Sequence, residues 1–398
     1  MIEIKPSKAK GHIEAPPSKS YAHRMLICAG LSKGESIIEN IELSQDVLAS
    51  LDCLEALGAV YSYENNIVKI KGVEPSEFCS QAVLPCRECG TTMRFFITIC
   101  LASERTFSLT GSERLLSRPM DVYEKICAEK GLLFSNNGSV ITVKGPLPYG
   151  EYEVPGNVSS QFISGLLFAL PFMEKDSRII ITDNIESSSY IDMTISALKD
   201  FGIILNRESN VINIKGNQKY KAISKKVEGD FSNVAFIEAL NLIGGDVTID
   251  GLNDNTIQGD KVYRDYFIKL KNEMPTLSLA DCPDLGPILF VMAACFNGAV
   301  FTDTKRLRIK ESDRAMAMYE ELAKFGAKMK VEENTVTIFK AALHEPAEAL
   351  NGHNDHRIVM ALSVLCTIYG GKIEGENSVN KSWPEFFNVL KSIGIELT

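Results

Sequence analysis

Five segments of this 398-residue chain place cations, hydroxyls and carboxylates where a helix is about to begin. The first reads Pro16-Pro17-Ser18-Lys19-Ser20-Tyr21-Ala22-His23-Arg24, with Ser20 as the expected cap and Arg24 one turn later on the same face. A helix start offers unpaired N–H groups and the positive end of a dipole, so Lys19, Ser20 and Arg24 suit a phosphate or carboxylate. No Gly-x-x-x-x-Gly-Lys-Ser/Thr precedes them, so this is not a P-loop. The second segment, Glu88-Cys89-Gly90-Thr91-Thr92-Met93-Arg94, sets a glycine where a ligand could approach the backbone, and Arg94 reads equally as a structural ion-pair partner. In the third, Arg114 to Met120, Arg118 lies before a helix whose expected first residue is Pro119. The fourth, Lys305 to Arg314, is the densest charge cluster. Its alternation predicts a half-buried extended segment with Arg306, Arg308 and Lys310 on one side, and cations that keep Glu311 ionised. The fifth, Asn354-Asp355-His356-Arg357, precedes an apolar helix. Capping alone explains a Ser or Asp at such places; it does not explain the cations beside them.

These loops recur because the elements that carry them recur. Leu51 to Gly72 reads as a helix end, a glycine stop, a strand, a turn and a strand ending in Lys-Gly. The pattern returns at Tyr123 to Gly145, Ile195 to Gly216 and Tyr319 to Lys340, with stop glycines Gly58, Gly131, Gly202, Gly326 and Gly394. A glycine there suits the left-handed position that ends a helix. Each unit also has a front half, a polar loop followed by a strongly apolar helix. The fronts begin at Ser18, Gly90, Ser159, Asp230, Asp284 and Asp355, giving β-α-β-α-β-β six times. Three units per domain predict a first domain over residues 15–226 and a second over 1–14 and 227–398, with hinges near 10–15 and 225–229. The strand Met1–Ile4 is then expected to pair with the C-terminal half.

Bulk composition is that of an ordinary globular protein. Hydrophobic residues make up 45% and charged residues 23%, enough apolar material for two cores. A net charge of −9 and a pI near 5.3 oppose a nucleic-acid binder, yet leave room for a locally basic cleft. The longest apolar run, near Phe162–Met173, falls short of the roughly 20 residues a membrane span needs. The N-terminal segment lacks an apolar targeting core, so a cytoplasmic protein is expected. The ten cysteines read as reduced thiols. Cys86 and Cys89 form one C-x-x-C, but no second Cys/His pair at comparable spacing completes a zinc set.

Taken in order, SKSYAHR, CGTTMR, LLSRP, VSSQ, PDLGP, RLRIKESDR, NDHR and KSWPEF resemble the EPSP synthase (3-phosphoshikimate 1-carboxyvinyltransferase) family over nearly the whole chain. The resemblance implies an α/β fold, a two-domain inside-out α/β barrel of six βαβαββ repeats around an interdomain cleft. It implies transfer of the enolpyruvyl group of phosphoenolpyruvate to the 5-hydroxyl of shikimate 3-phosphate, with no metal and no organic cofactor, in a monomer. Carried over by motif, Lys19 touches both substrates, and Ser20 and Arg24 hold the shikimate part. Ser159 and Ser160 bind its phosphate, with Gln161 between the ligands and Ser187 and Tyr190 in the ESSSY loop nearby. Asp284 is the implied proton acceptor from the attacking hydroxyl, and Lys310 contacts acceptor hydroxyls. Gly90, Arg118, Arg314, Arg357 and Lys381 cradle phosphoenolpyruvate, while Glu311 and His356 sit at the reacting carbon.

Two positions depart from the family: Glu88 stands where many members have Asn, and Arg306 where some do. Gly90 leaves the pocket open to glyphosate, the family's phosphoenolpyruvate mimic, so a sensitive enzyme is expected. The nearest rival is the sister UDP-N-acetylglucosamine enolpyruvyl transferase, which carries a loop cysteine; here that region reads SERLLSRP. A catalytically dead binding protein would be expected to lose Lys19, Asp284, Glu311 or Arg357, and all four are present. An RNA-end-processing enzyme is opposed by the acidic balance.

Overall fold

The computed structural model describes residues 1–398. The chain divides into two compact units, Pro17–Glu228 and Met1–Pro16 with Gly229–Thr398. Both mix helices with sheets of parallel and antiparallel pairs. No helix is long and apolar enough to cross a membrane.

In Pro17–Glu228, three four-stranded sheets repeat one pattern. Val83–Pro85 pairs parallel with Thr106–Thr110, which continues antiparallel to Val140–Lys144 and then Leu133–Asn136. Glu151–Pro155, Ser177–Thr182, Val211–Ile214 and Leu205–Glu208 follow the same order. So do Ser224–Lys226, Glu35–Glu39, Ile67–Lys71 and Val60–Glu64, whose first strand comes from the far end of the unit. Alternation in Ile67–Lys71 buries Val68 and Ile70 and leaves Lys69 and Lys71 outside, the period-two signature of a sheet with one wet face. Inside lie the helices Lys19–Gly30, Gly90–Leu101 and Ser160–Ala169. They are polar at their starts, apolar beyond and buried along most of their length, as interior helices are.

In the other unit, Thr276–Ser278, Gly298–Thr302, Thr335–Phe339 and Lys328–Val331 repeat the sheet pattern. Lys10–Glu14 pairs parallel with Asp246–Asp250, and Ile2–Ile4 pairs antiparallel with Gly371–Glu374. The buried helices here are Phe231–Leu242, Gly286–Cys295 and His356–Tyr369. The five stop glycines all have positive φ, from 68° at Gly131 to 111° at Gly58, a conformation that costs a side chain about 1–2 kcal/mol.

Three local expectations are corrected. Ser18, not Ser20, caps the first helix, its hydroxyl accepting from the Tyr21 amide at 3.4 Å. The helix after Arg118 begins at Asp121, two residues beyond Pro119, because Arg114 and its neighbours already form the short helix Glu113–Leu116. Lys305–Ile309 is a 3-10 turn, not an extended segment. Its threefold period separates residues two apart: Arg306 turns inward to the Ala280 carbonyl, while Arg308 stays exposed and reaches the Glu332 carbonyl at 2.8 Å.

Candidate active site

In Pro17–Glu228 the candidate residues gather at the starts of the three buried helices and of Ser188–Asp200, except Arg118, which lies just before Asp121–Lys130. Lys19 opens the first helix and places Nζ 2.8 Å from Asp46 Oδ2. One turn on, Arg24 is buried and fully engaged. Its Nε donates to Thr194 Oγ1 at 2.8 Å, Nη1 to the Ser20 carbonyl at 2.7 Å and Nη2 to the Tyr190 carbonyl at 2.9 Å. Arg24 thus ties the helix Ser188–Asp200, which carries Tyr190 and Thr194, to the helix containing Lys19. Burial lowers its pKa to about 10, which leaves it cationic at neutral pH. Ser187 is buried with φ 57°, a left-handed residue at the head of Ser188–Asp200.

The second and third helices interlock through side-chain amides. Ser159 caps Ser160–Ala169, accepting from the Gln161 amide at 3.3 Å. The Gln161 side chain accepts from Arg94 Nη1 at 2.6 Å and donates to Thr91 Oγ1 at 2.8 Å. Arg94 also donates to the Pro119 carbonyl and lies over the Phe162 ring. The backbone of Gly90 lies against the Arg118 guanidinium: a Cβ there would sit 2.4 Å from Nη1 and 2.8 Å from Cζ. Beneath them His23 Nδ1 lies 2.8 Å from Ser50 Oγ, and burial, then Lys19 and Arg24, hold its pKa well below the usual histidine range. His23 is therefore neutral.

In the other unit three cations converge on one carboxylate. Arg314 Nη1 reaches Asp284 Oδ1 at 2.9 Å, Arg357 Nη2 reaches Oδ2 at 2.9 Å, and Lys310 Nζ is 3.4 Å from Oδ1. Arg314 Nη2 also holds Glu311 Oε2 at 2.8 Å. Behind this layer, Asp355 accepts from Arg314, from Ser312 Oγ at 3.0 Å and from the Arg357 amide at 3.0 Å while capping His356–Tyr369. Arg357 Nη1 donates to Ser232 Oγ at 2.7 Å. His356, the first residue of that helix, is buried. Lys381 donates to the Asn354 carbonyl at 2.6 Å. Desolvation lowers the Lys310 pKa to about 8, against the upward pull of Asp284. Arg314 loses to burial but is raised overall by Asp355, Glu311 and Asp284.

The sequence named every cation in these two groups. It did not single out Asp46, Asp355, Thr194 or Ser232, which hold them. Two had a signal: Asp46 stands in the first turn of a helix, and Asp355 sits directly before the His356-Arg357 pair. Thr194 and Ser232 are ordinary hydroxyls on buried helices and had none.

The arrangement can bind several anionic groups, hold one carboxylate poised as a base, and keep a second, Glu311, beside it. Comparison with known proteins gives the same picture at the level of the whole chain. A family model described as EPSP synthase (3-phosphoshikimate 1-carboxyvinyltransferase) matches residues 4–390. Among similar proteins, a 3-phosphoshikimate 1-carboxyvinyltransferase of Clostridium acetobutylicum is 42% identical over 99% of this chain and 97% of its own. One of Clostridium novyi is 40% identical over the same shares. The solved structure of an EPSP synthase from Acinetobacter baumannii superposes with a TM-score of 0.81, covering 100% of this chain and 99% of its own at 23% identity, which supports the fold.

Proposed function

The chain belongs to the EPSP synthase family, and from that premise we propose how its own side chains carry the reaction. The enolpyruvyl group of phosphoenolpyruvate goes to the 5-hydroxyl of shikimate 3-phosphate, with release of phosphate, in the shikimate pathway to chorismate and the aromatic amino acids. The observation that carries the mechanism is the joint hold of Arg314 and Arg357 on Asp284, with Glu311 on the same Arg314.

Asp284 takes the proton of the attacking hydroxyl, and Lys310 holds neighbouring hydroxyls of the acceptor. Lys19 and Glu311 exchange a proton with the methylene carbon, one adding it and the other removing it in the elimination. Protonating that carbon creates positive charge at its neighbour, which the carboxylates of Asp284 and Glu311 stabilise. Arg118, Arg314, Arg357 and Lys381 neutralise phosphoenolpyruvate, with Gly90 leaving room beside Arg118 and His356 near the reacting carbon. Ser20, Arg24, Ser159, Ser160, Gln161, Ser187 and Tyr190 take the shikimate phosphate and ring. Arg24 and Gln161 already hold their own networks, so this half is organised before the ligand arrives.

The finer architecture belongs to the same reading: a monomeric, cytoplasmic inside-out α/β barrel of six repeats around an interdomain cleft, with domains at 15–226 and at 1–14 with 227–398. The recurrent sheet order and the positive-φ stop glycines support it. The test is phosphate release from phosphoenolpyruvate with chelator present. Release with shikimate 3-phosphate and none with UDP-N-acetylglucosamine is expected; release with the nucleotide sugar alone would overturn the reading.

A further inference from the structure

Three side chains that the transfer does not use stand together beneath Lys19 and Gly90. His23 comes from Lys19–Gly30, Asp46 from the first turn of Gln45–Leu57, and Cys89 caps Gly90–Leu101. Their ligating atoms all lie within 4.8 Å of one another. We propose that His23, Asp46 and Cys89 form an inhibitory site for a thiophilic divalent cation of the zinc type.

Four observations carry this. His23 Nε2 is 3.9 Å from Cys89 Sγ; tetrahedral zinc, with Zn–S of about 2.3 Å and Zn–N of about 2.0–2.1 Å, sets them at about 3.6 Å. Little movement is needed. Second, His23 Nδ1 is fixed by Ser50 Oγ at 2.8 Å, and Ser50 is itself 2.8 Å from Thr92 Oγ1. A ligating histidine is held in this way by an oxygen on its other nitrogen. Third, a neutral imidazole, a thiolate and a carboxylate together balance a double positive charge and leave the fourth vertex for water. Fourth, the site has an entry side: His23 and Cys89 are buried, but the Asp46 and Lys19 side chains keep 12% and 16% exposure.

Binding breaks the Cys89 S–H bond, forms a sulfur–metal bond and passes the proton to water, with no change of oxidation state. The metal also takes Asp46 from the Lys19 ammonium. The inhibition, though not the binding, rests on Lys19 acting in the enolpyruvyl transfer. The other such cluster, Glu320, Glu321 and His353, differs because it offers no thiol and its Glu320 is exposed.

The probe is Co2+ added to chelator-treated full chain, read by the thiolate-to-cobalt charge-transfer band, alongside Zn2+ titration of phosphate release. The wild type should show the band and reversible Zn2+ inhibition. Cys89→Ser, which keeps a capping oxygen, should lose the band and need at least about tenfold more Zn2+. Ser50→Ala should weaken Co2+ by about tenfold. Absence of the band in the wild type, or equal Zn2+ inhibition in the wild type and Cys89→Ser, would overturn the proposal. A band in a protein without enolpyruvyl transfer would support the metal site and overturn the functional reading instead.

Discussion

Arg314 and Asp355 form a two-point ion pair sealed from solvent, Nε to Oδ2 at 2.8 Å and Nη2 to Oδ1 at 3.3 Å, with side chains 1% and 0% exposed. The same Arg314 reaches forward to Asp284 and Glu311, so Asp355 fixes the cation that fixes the candidate base. Asp355→Ala removes one partner of a buried pair and should cost about 3–5 kcal/mol in urea unfolding. Asp355→Asn, which keeps a capping oxygen, should cost less. Equal losses would mean that the lost charge accounts for the whole cost and the retained capping oxygen for none of it.

Gly90→Ala tests the contact with Arg118. The new methyl would meet the guanidinium at 2.4 Å. That guanidinium ends a flexible chain and can move away, so the unfolding midpoint should change little. KM for phosphoenolpyruvate should rise by about tenfold, the loss of one charge-assisted contact, with KM for shikimate 3-phosphate nearly constant. Glyphosate should inhibit the wild type and weaken in the variant. A parallel rise in both KM values would detach Gly90 from the phosphoenolpyruvate end.

Asp284→Asn keeps a side chain of the same size and one acceptor oxygen for the Arg314 and Arg357 pair while removing the base. Its kcat should fall by about 10²–10⁴-fold, the usual share of general base catalysis, with a much smaller change in either KM. An unchanged kcat would remove Asp284 from the proton transfer.

Lys310 supplies a pH dependence. Burial lowers its pKa to about 8, below the ordinary lysine value. It is cationic below that pH and loses its charge as pH rises through it. With kcat/KM for shikimate 3-phosphate plotted against pH, a fall should begin near pH 8. Lys310→Arg should remove that fall. For stability the sign reverses. Between about 8 and the ordinary lysine value the unfolded chain binds more protons, so this residue adds stability as pH rises across that window.

The sequence disclosed the parts of the site better than their joints. Charged and glycine positions stood out because their types are wrong for bare capping, and the stop glycines because only a left-handed turn needs them at constant spacing. The pairing of Gly90 with Arg118 was invisible, since it depends on how the loop before Asp121 returns to the helix at Gly90. Arg306, Arg308 and Lys310 misled, because alternating charge looks extended even where residues fold into a 3-10 turn. Beyond their positions, Asp46 and Asp355 showed nothing of their roles in the sequence, and only their partners from distant elements reveal them.

The pairing of Lys10–Glu14 with Asp246–Asp250, and of Ile2–Ile4 with Gly371–Glu374, has a consequence for synthesis. Residues 1–14 are made before their partners, which follow only after the whole of Pro17–Glu228. The early strands must therefore wait unpaired, open-edged and free to join a neighbouring chain, while the inserted unit folds around its own three helices. Two short strands are thus captured only once Asp246–Asp250 and Gly371–Glu374 have been made, so the unit they complete closes across the insertion of the other.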